Sequence, residues 1–324
     1  MNQFKNHKGF KRTFKENKMT LGLMFPLESY TGSFPEMNLE EQVRLAKMAE
    51  DYGFASLFVR DAPLYDPNFG DVGGLYDPFM FLSYVAAHTK DIALGTGSIV
   101  TTLRHPIHAA KSAATLESLS GQRFLFGAAG GDRPIEFPAF KTDIEDKGEL
   151  FRESIEVMKQ LWSEEFPKIQ SQRVNLTEGG VVPKPAMSGV PVFGTGYSGQ
   201  TMEWLAEHTD GWLFYPQNLQ GQKKLVNQWR GATETFKPFA QPLAIDLSER
   251  PGEVAKQLPI GFRSGRHFLV DYLNAFQEAG VNHVMIALKQ NKRPAEEVIQ
   301  ELGEYVVPKF PAIIESKYSF LNFK

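Results

Sequence analysis

A chain of 324 residues can form one large domain or two ordinary ones, and length alone does not choose between them. Net charge is −3 at neutral pH, so no overall basic field points to nucleic acid or an anionic membrane as a partner. The chain has no cysteine, which excludes disulfides, thiolate metal sites and thiol nucleophiles and suits a reducing, cytoplasmic setting.

No apolar run is long enough to span a bilayer. The opening stretch MNQFKNHKGFKRTFKENK, residues 1–18, is basic and lacks the apolar centre of a secretory signal. It reads as a flexible tail, with an anion-binding arm as the other reading. From Met19 the pattern is regular. MTLGLMF is a strand, and Asn38 then caps a helix over LEEQVRLAKMAEDYGF, with Glu41 placed to complete a capping box. ASLFV is the second strand; Asp77 and Pro78 open the next helix in the way that favours a helix start. IALGTGSIV is the third strand, and Pro106 begins the helix that follows it.

RFLFGAA is the fourth strand, and ELFRESIEVMKQLW places Phe151, Ile155, Met158 and Trp162 on one helical face. VPVFGTG, GWLFYP, PLAIDL and HVMIALK supply the fifth to eighth strands, each followed by helical periodicity. Eight strand–helix units without a strong linker predict one parallel α/β domain over residues 19–324, and eight is the number that closes a barrel. A doubly wound open sheet is the runner-up. The expected architecture is a (β/α)8 barrel with long loops after strands 4, 5 and 7, where lids and binding loops are found.

VFGTGYSGQT, Val192 to Thr201, carries two nucleotide patterns at once. Gly194, Gly196 and Gly199 fit the dinucleotide fingerprint, but the next strand, GWLFYPQN, ends without the acid that holds a ribose. Gly194 to Thr201 also nearly fits a P-loop, but Gln200 stands where the phosphate-binding lysine belongs. What survives is a strand running into a glycine-rich turn, with Ser198 and Thr201 at a helix start where unpaired N–H groups favour an anion. A plain tight turn with a helix cap explains the same residues, and both readings stay open at this point.

Longer segments add a resemblance. LGTGSIVTTLRHPIHAAKSAATLESLSGQRFLFGAAGGDRP, Leu94 to Pro134, resembles the bacterial luciferase-like flavin monooxygenases, which open this helix with Leu-Arg-His-Pro. Ser198, Thr201, Glu203 and Trp204 are similar to that family's phosphate-binding turn, and GDRPIEFPAF and GFRSGRHFLVDYLNAFQEAGVNHV resemble a luciferase-type oxidoreductase subgroup. The resemblance covers nearly the whole chain after the tail. It implies a TIM barrel that binds FMN, reduced by a separate flavin reductase, and uses dioxygen on a small-molecule substrate. It also implies a homodimer.

The resemblance assigns the flavin phosphate to Ser198 and Thr201 with Tyr197 beside it. Lys147 stands where relatives often have arginine, and Gly97 and Ser98 stand where they carry a non-prolyl cis peptide beneath the flavin ring. Arg133 is a candidate for substrate or phosphate, and Arg263 and Arg266 for an anionic substrate group under a lid. The luciferase histidine after strand two is absent, since Ala62 and Pro63 follow Asp61, and Ala129 replaces the reactive cysteine. The general base is therefore unassigned, with Asp61 and His105 as candidates; Arg60 is a possible partner for Asp61. No metal site is expected, because His105 and His108 lack paired acids at ligand spacing. Two alternatives remain: a deazaflavin-dependent dehydrogenase, and a catalytically inactive flavin-binding barrel.

Overall fold

The computed structural model describes residues 3–27, 37–66 and 76–314. The eight periodic strands are β1 (Thr20–Met24), β2 (Ser56–Val59), β3 (Ala93–Thr96), β4 (Phe124–Ala129), β5 (Val192–Thr195), β6 (Gly211–Leu213), β7 (Phe239–Leu247) and β8 (His283–Ala287). All pair in parallel with their sequence neighbours, and β8 pairs with β1 in the register Thr20↔His283, which closes the ring. This is a (β/α)8 barrel. After the Gly97–Ser98 peptide, which is cis, β3 resumes as Ile99–Val100 alongside β4.

The helices are α1 (Lys8–Thr13), α2 (Leu39–Asp51), α3 (Pro78–His88), α4 (Pro106–Ser120) and α5 (Glu136–Ala139). They continue as α6 (Lys147–Ser163), α7 (Met202–His208), α8 (Leu219–Ala232), α9 (Arg266–Glu278) and α10 (Ala295–Tyr305). The expected caps form at α2 and α3, through Asn38 and Asp77. Only half of the capping box is built: Asn38 accepts from the Glu41 N–H, while the Glu41 carboxylate pairs with Arg44. The face Phe151, Ile155, Met158 and Trp162 of α6 is buried against the barrel. No helix among the described residues is long and apolar enough to cross a membrane.

Two expectations are corrected. The opening residues are not a loose tail: Phe4, Phe10 and Phe14 are buried and join Phe58, Leu125 and Phe193 in the lower bore of the barrel. Phe10 and Phe14 lie four apart, so α1 presents both on one face. His7 takes the Phe10 N–H on Nδ1, which leaves its Nε2–H to donate to buried Glu117 at 2.9 Å. The arm thus plugs the N-terminal end of the barrel with its phenylalanines, while Lys8, Lys15 and Lys18 are exposed.

The second correction concerns the loops. β5 runs directly into α7 through a short turn, 196–201, and the long excursion lies ahead of β5, between α6 and residue 191. It includes a small antiparallel pair, Ile169–Gln170 with Asn175–Leu176. The connections after β4 and β7 are long as expected, and so are those after β1 and β2, parts of which lie outside the described residues.

Candidate active site

The C-terminal ends of the strands open into a cleft of about 1310 Å³. Its lining brings together Asp61, Gly97, Ser98, Arg133, Lys147, Tyr197 and Ser198, residues scattered over 138 positions of sequence (198 − 61 + 1) and united only by barrel closure.

The glycine turn forms one wall. Gly196 donates its N–H to the Leu213 carbonyl, and the Gly196 carbonyl accepts from the Trp212 indole at 2.6 Å, so the turn is fixed to β6. The backbone N–H groups of Tyr197, Ser198 and Gly199 have no acceptor among the described residues. Gly196, Ser198 and Gly199 all have positive φ, which curls this stretch into a concave row of donors. Gly199 is required by both conformation and space: at φ +76° an added Cβ would sit 2.6 Å from the Cα of Gly148. That contact brings the first turn of α6, with Lys147, against the donor row. Gln200 secures it by donating to the Gly148 carbonyl at 2.7 Å and accepting from Arg152.

The hydroxyls predicted for this turn are otherwise engaged. Ser198 Oγ donates to the Thr195 carbonyl at 2.7 Å and accepts from the Gly130 N–H, so it ties β5 to the end of β4. Thr201 is exposed, lies outside the cleft lining and caps α7 by accepting from the Trp204 N–H. At the centre of the floor, Ser98 and Thr195 share a short hydroxyl–hydroxyl hydrogen bond.

Asp61 faces the cleft, but its partner is Arg104 rather than Arg60. Arg104 binds both Asp61 oxygens at 2.9 Å, and Asp61 also accepts from the Val100 N–H. The same guanidinium reaches Asp77 at 2.8 Å. Burial opposes the charge on Arg104, but the two carboxylates more than offset this and hold its pKa above the ordinary value. Asp61 is thereby committed as an ion-pair partner that fixes the end of β2 to the β3 extension. Arg133 is buried at the cleft edge and donates to the Leu64 carbonyl. Beneath it lies Glu136, whose Oε1 has no hydrogen-bond partner among the described residues; burial, the main cause, pushes its carboxyl up.

Three other expected site residues lie elsewhere. His105 is exposed, caps α4 through Nδ1 and donates from Nε2 to the Arg173 carbonyl. Arg263 pairs with Asp246 at 2.9 Å and Glu253 at 2.8 Å, which staples the hairpin after β7 to the strand. Arg266 pairs with Glu301 and stacks over Tyr305 on the outer helices. Each arginine finds a carboxylate far away in sequence, which its local motif does not reveal. Arg104, Gln200 and Glu136 were the residues missed. Arg104 stood inside the Leu-Arg-His-Pro motif, and its spacing to Asp61 gave no signal.

A closed parallel barrel with a donor-lined cleft at its C-terminal face is the frame of a cofactor-binding enzyme. The model of the family described as luciferase-like monooxygenase matches residues 19–248, and the chain belongs to that family of oxidoreductases. It is 26% identical over 234 residues to an uncharacterized protein of Mycobacterium tuberculosis, covering 67% of this chain and 82% of the relative. It is 24% identical over 191 residues to the alkanal monooxygenase alpha chain of Photorhabdus luminescens, covering 57% of this chain and about half, 51%, of that one. In fold it is similar to an F420-dependent secondary alcohol dehydrogenase, with a TM-score of 0.75 at 17% identity over 90% of this chain and 99% of the other.

Proposed function

We propose that this protein is an FMN-dependent oxidoreductase, a monooxygenase that takes FMN reduced by a separate reductase and uses dioxygen on a small organic substrate. The observation that carries the reading is the row of unanswered N–H groups at Tyr197, Ser198 and Gly199 beside Lys147. Three unanswered backbone donors and one lysine line the same cleft, an arrangement that suits a phosphate monoester. In this reading Ser198 acts through its backbone and its tie to Gly130, and Thr201 acts only as a helix cap. The cis Gly97–Ser98 segment forms the floor on which the ring would lie.

When bound, reduced flavin supplies the electrons that activate dioxygen. The chain itself orients and desolvates. Asp61, neutralised by Arg104, holds the β2 and β3 ends in register, and Arg133 offers a positive charge at the cleft edge. The exposed side chains of Met80 and Tyr84 on α3 support a homodimer through the helical layer.

The deazaflavin reading is weighed by what lies just past the turn. Beyond Gly199 the surface continues into a groove lined by Glu145, Glu149, Glu153 and Glu156, with Arg152 and Lys168. Arg152 donates to the neutral Gln200 and stacks over Trp204, keeping its charge, while Glu153 is paired with Arg173. Glu145, Glu149 and Glu156 still outnumber Arg152 and Lys168 there, so a coenzyme whose chain continues past its phosphate in further carboxylates would meet a small excess of like charge, which favours FMN. Anaerobic titration tests this: reduced FMN is expected to bind at least about tenfold tighter than coenzyme F420 at low salt. Tighter F420 binding would move the assignment to hydride transfer. Reduced FMN that binds but whose oxidation by dioxygen never couples to any product would leave an inactive flavin-binding barrel.

A further inference from the structure

The hydroxyls around the ends of β3 and β5 can be counted proton by proton. Thr96 donates to the Gly127 carbonyl at 3.0 Å, Thr101 to the Ala129 carbonyl and Thr102 to the Gly130 carbonyl at 3.0 Å. Ser198 spends its proton on the Thr195 carbonyl. Ser98 and Thr195 differ, because their hydroxyls bond to each other and to no other group among the described residues. Two hydroxyl protons are present and that bond uses one. One O–H is therefore left to donate, and both residues line the cleft.

The strands explain why these two hydroxyls meet. Phe193 belongs to the apolar bore, so Thr195, two residues further along β5, turns the same way. On the bore side of β4 come Leu125, Gly127 and Ala129, and the last two leave Ser98 and Thr195 room to pair across the strand. No side chain fits at Gly127: a Cβ there would sit 1.9 Å from the Thr96 carbonyl and 3.0 Å from Leu213. Ser98 is itself buried, and Met24, Leu213 and Met285 line the same cleft while belonging to the apolar bore. A hydroxyl proton held over such a floor competes with little water, so an acceptor on a bound molecule gains more from it than from an exposed hydroxyl.

We propose that the Ser98–Thr195 pair tells the two redox forms of the cofactor apart: its free O–H donates to the polar edge of the flavin ring and holds the reduced ring more tightly than the oxidised one. The inference rests on the flavin reading for the ligand and on the proton count for the contact. Reduction adds electrons to the ring and raises the negative charge on its oxygen and nitrogen atoms. A donor fixed beside them favours that form, because hydrogen bonds to charge-bearing acceptors are the stronger ones. The pair does this without a charged side chain, at a level of the cleft where Ala129 supplies only a methyl group.

The test is the ratio of the dissociation constants of oxidised and reduced FMN, titrated anaerobically into the full chain, together with the reduction potential of the bound flavin. The double variant Ser98→Ala/Thr195→Val removes both hydroxyls at nearly constant shape and should lower that ratio about tenfold. For a two-electron couple this is a fall of about 30 mV. Thr195→Ser keeps the hydroxyl and should stay within about twofold of wild type. Replacing both partners of a hydrogen bond by apolar groups of the same shape is nearly neutral for folding, so the double variant should unfold in urea as wild type does. A folded double variant whose ratio stays within about twofold of wild type overturns the proposal. So does a Thr195→Ser effect as large as the double variant's, because volume and not the hydroxyl would then be at work. A double variant that fails to fold overturns it as well, since the pair would be structural. Wild type that binds neither form of FMN sinks the flavin reading and this contact with it, whereas FMN that binds with a ratio indifferent to the pair sinks the contact alone.

Discussion

At the N-terminal end of the barrel the imidazole of His283 lies between two hydroxyls, and Phe4, Phe10 and Phe14 close the bore beneath it. At the C-terminal end Tyr197, Ser198 and Gly199 line the cleft, and their three backbone N–H groups have no acceptor among the described residues. The same eight strands therefore end in two different ways. Thr20 donates to the Thr13 carbonyl, so it accepts from His283 Nδ1–H, and Nε2 accepts from Ser56; this polar group is buried and answered within the chain. The glycine turn is held as firmly, by Trp212, Gln200 and Ser198, but its donors are kept available. Both ends are pinned by hydrogen bonds; what differs is whether the polar groups find partners within the protein, and that is what singles out the C-terminal end as the candidate site.

Perturbing the closed end should cost stability and spare cofactor binding. The largest effect is expected from Phe14→Ala, which removes a ring packed 5.1 Å from Phe193 and edge-on to His283. A loss of about 3–5 kcal/mol is expected in urea unfolding, with unchanged FMN affinity for the folded fraction. A stability like wild type would return the arm to the status of a tail.

His283 gives the next effect, and it depends on pH. Burial pushes its pKa down to about 3, with the hydrogen bond to Thr20 opposing. The unfolded chain takes up a proton below about pH 6.5 that the folded chain refuses until far lower pH, so stability is lost as pH falls through that window. Between pH 7 and pH 5 this amounts to about 2 kcal/mol, and His283→Gln should show a correspondingly shallower acid dependence. Identical pH slopes for the two proteins would remove His283 from the account.

The smallest effect lies at the open end. Thr201→Ala removes a cap from the short helix α7 and should cost about 1 kcal/mol, while FMN affinity stays within about twofold. A tenfold weaker FMN complex would restore the threonine hydroxyl as a phosphate ligand.

The barrel was legible in the sequence because strand and helix periods recur eight times with caps at the right offsets. The arm was misread because six lysines and arginines outweigh three phenylalanines by composition, although the i, i+4 spacing of Phe10 and Phe14 was visible. The glycine turn was found, but the partners of its hydroxyls were not: Ser198 ties β5 to the end of β4, and Thr201 caps α7. Residue types show whether a serine is present, not whether its proton is spent on the carbonyl of Thr195. Arg263 and Arg266 were drawn into the site for a related reason. An arginine near a predicted loop reads as free until the fold brings Asp246 or Glu301 to it.

The central claim, that the curled backbone of the β5 turn seats a flavin phosphate, is tested most directly by titrating FMN into wild type and Gly199→Ala. A methyl at Gly199 meets the Gly148 backbone and strains a left-handed residue, so it disturbs the donor row and the approach of Lys147 together. The account predicts a folded variant, by circular dichroism, whose FMN dissociation constant rises at least about tenfold. Wild-type FMN affinity in a folded Gly199→Ala protein would contradict it.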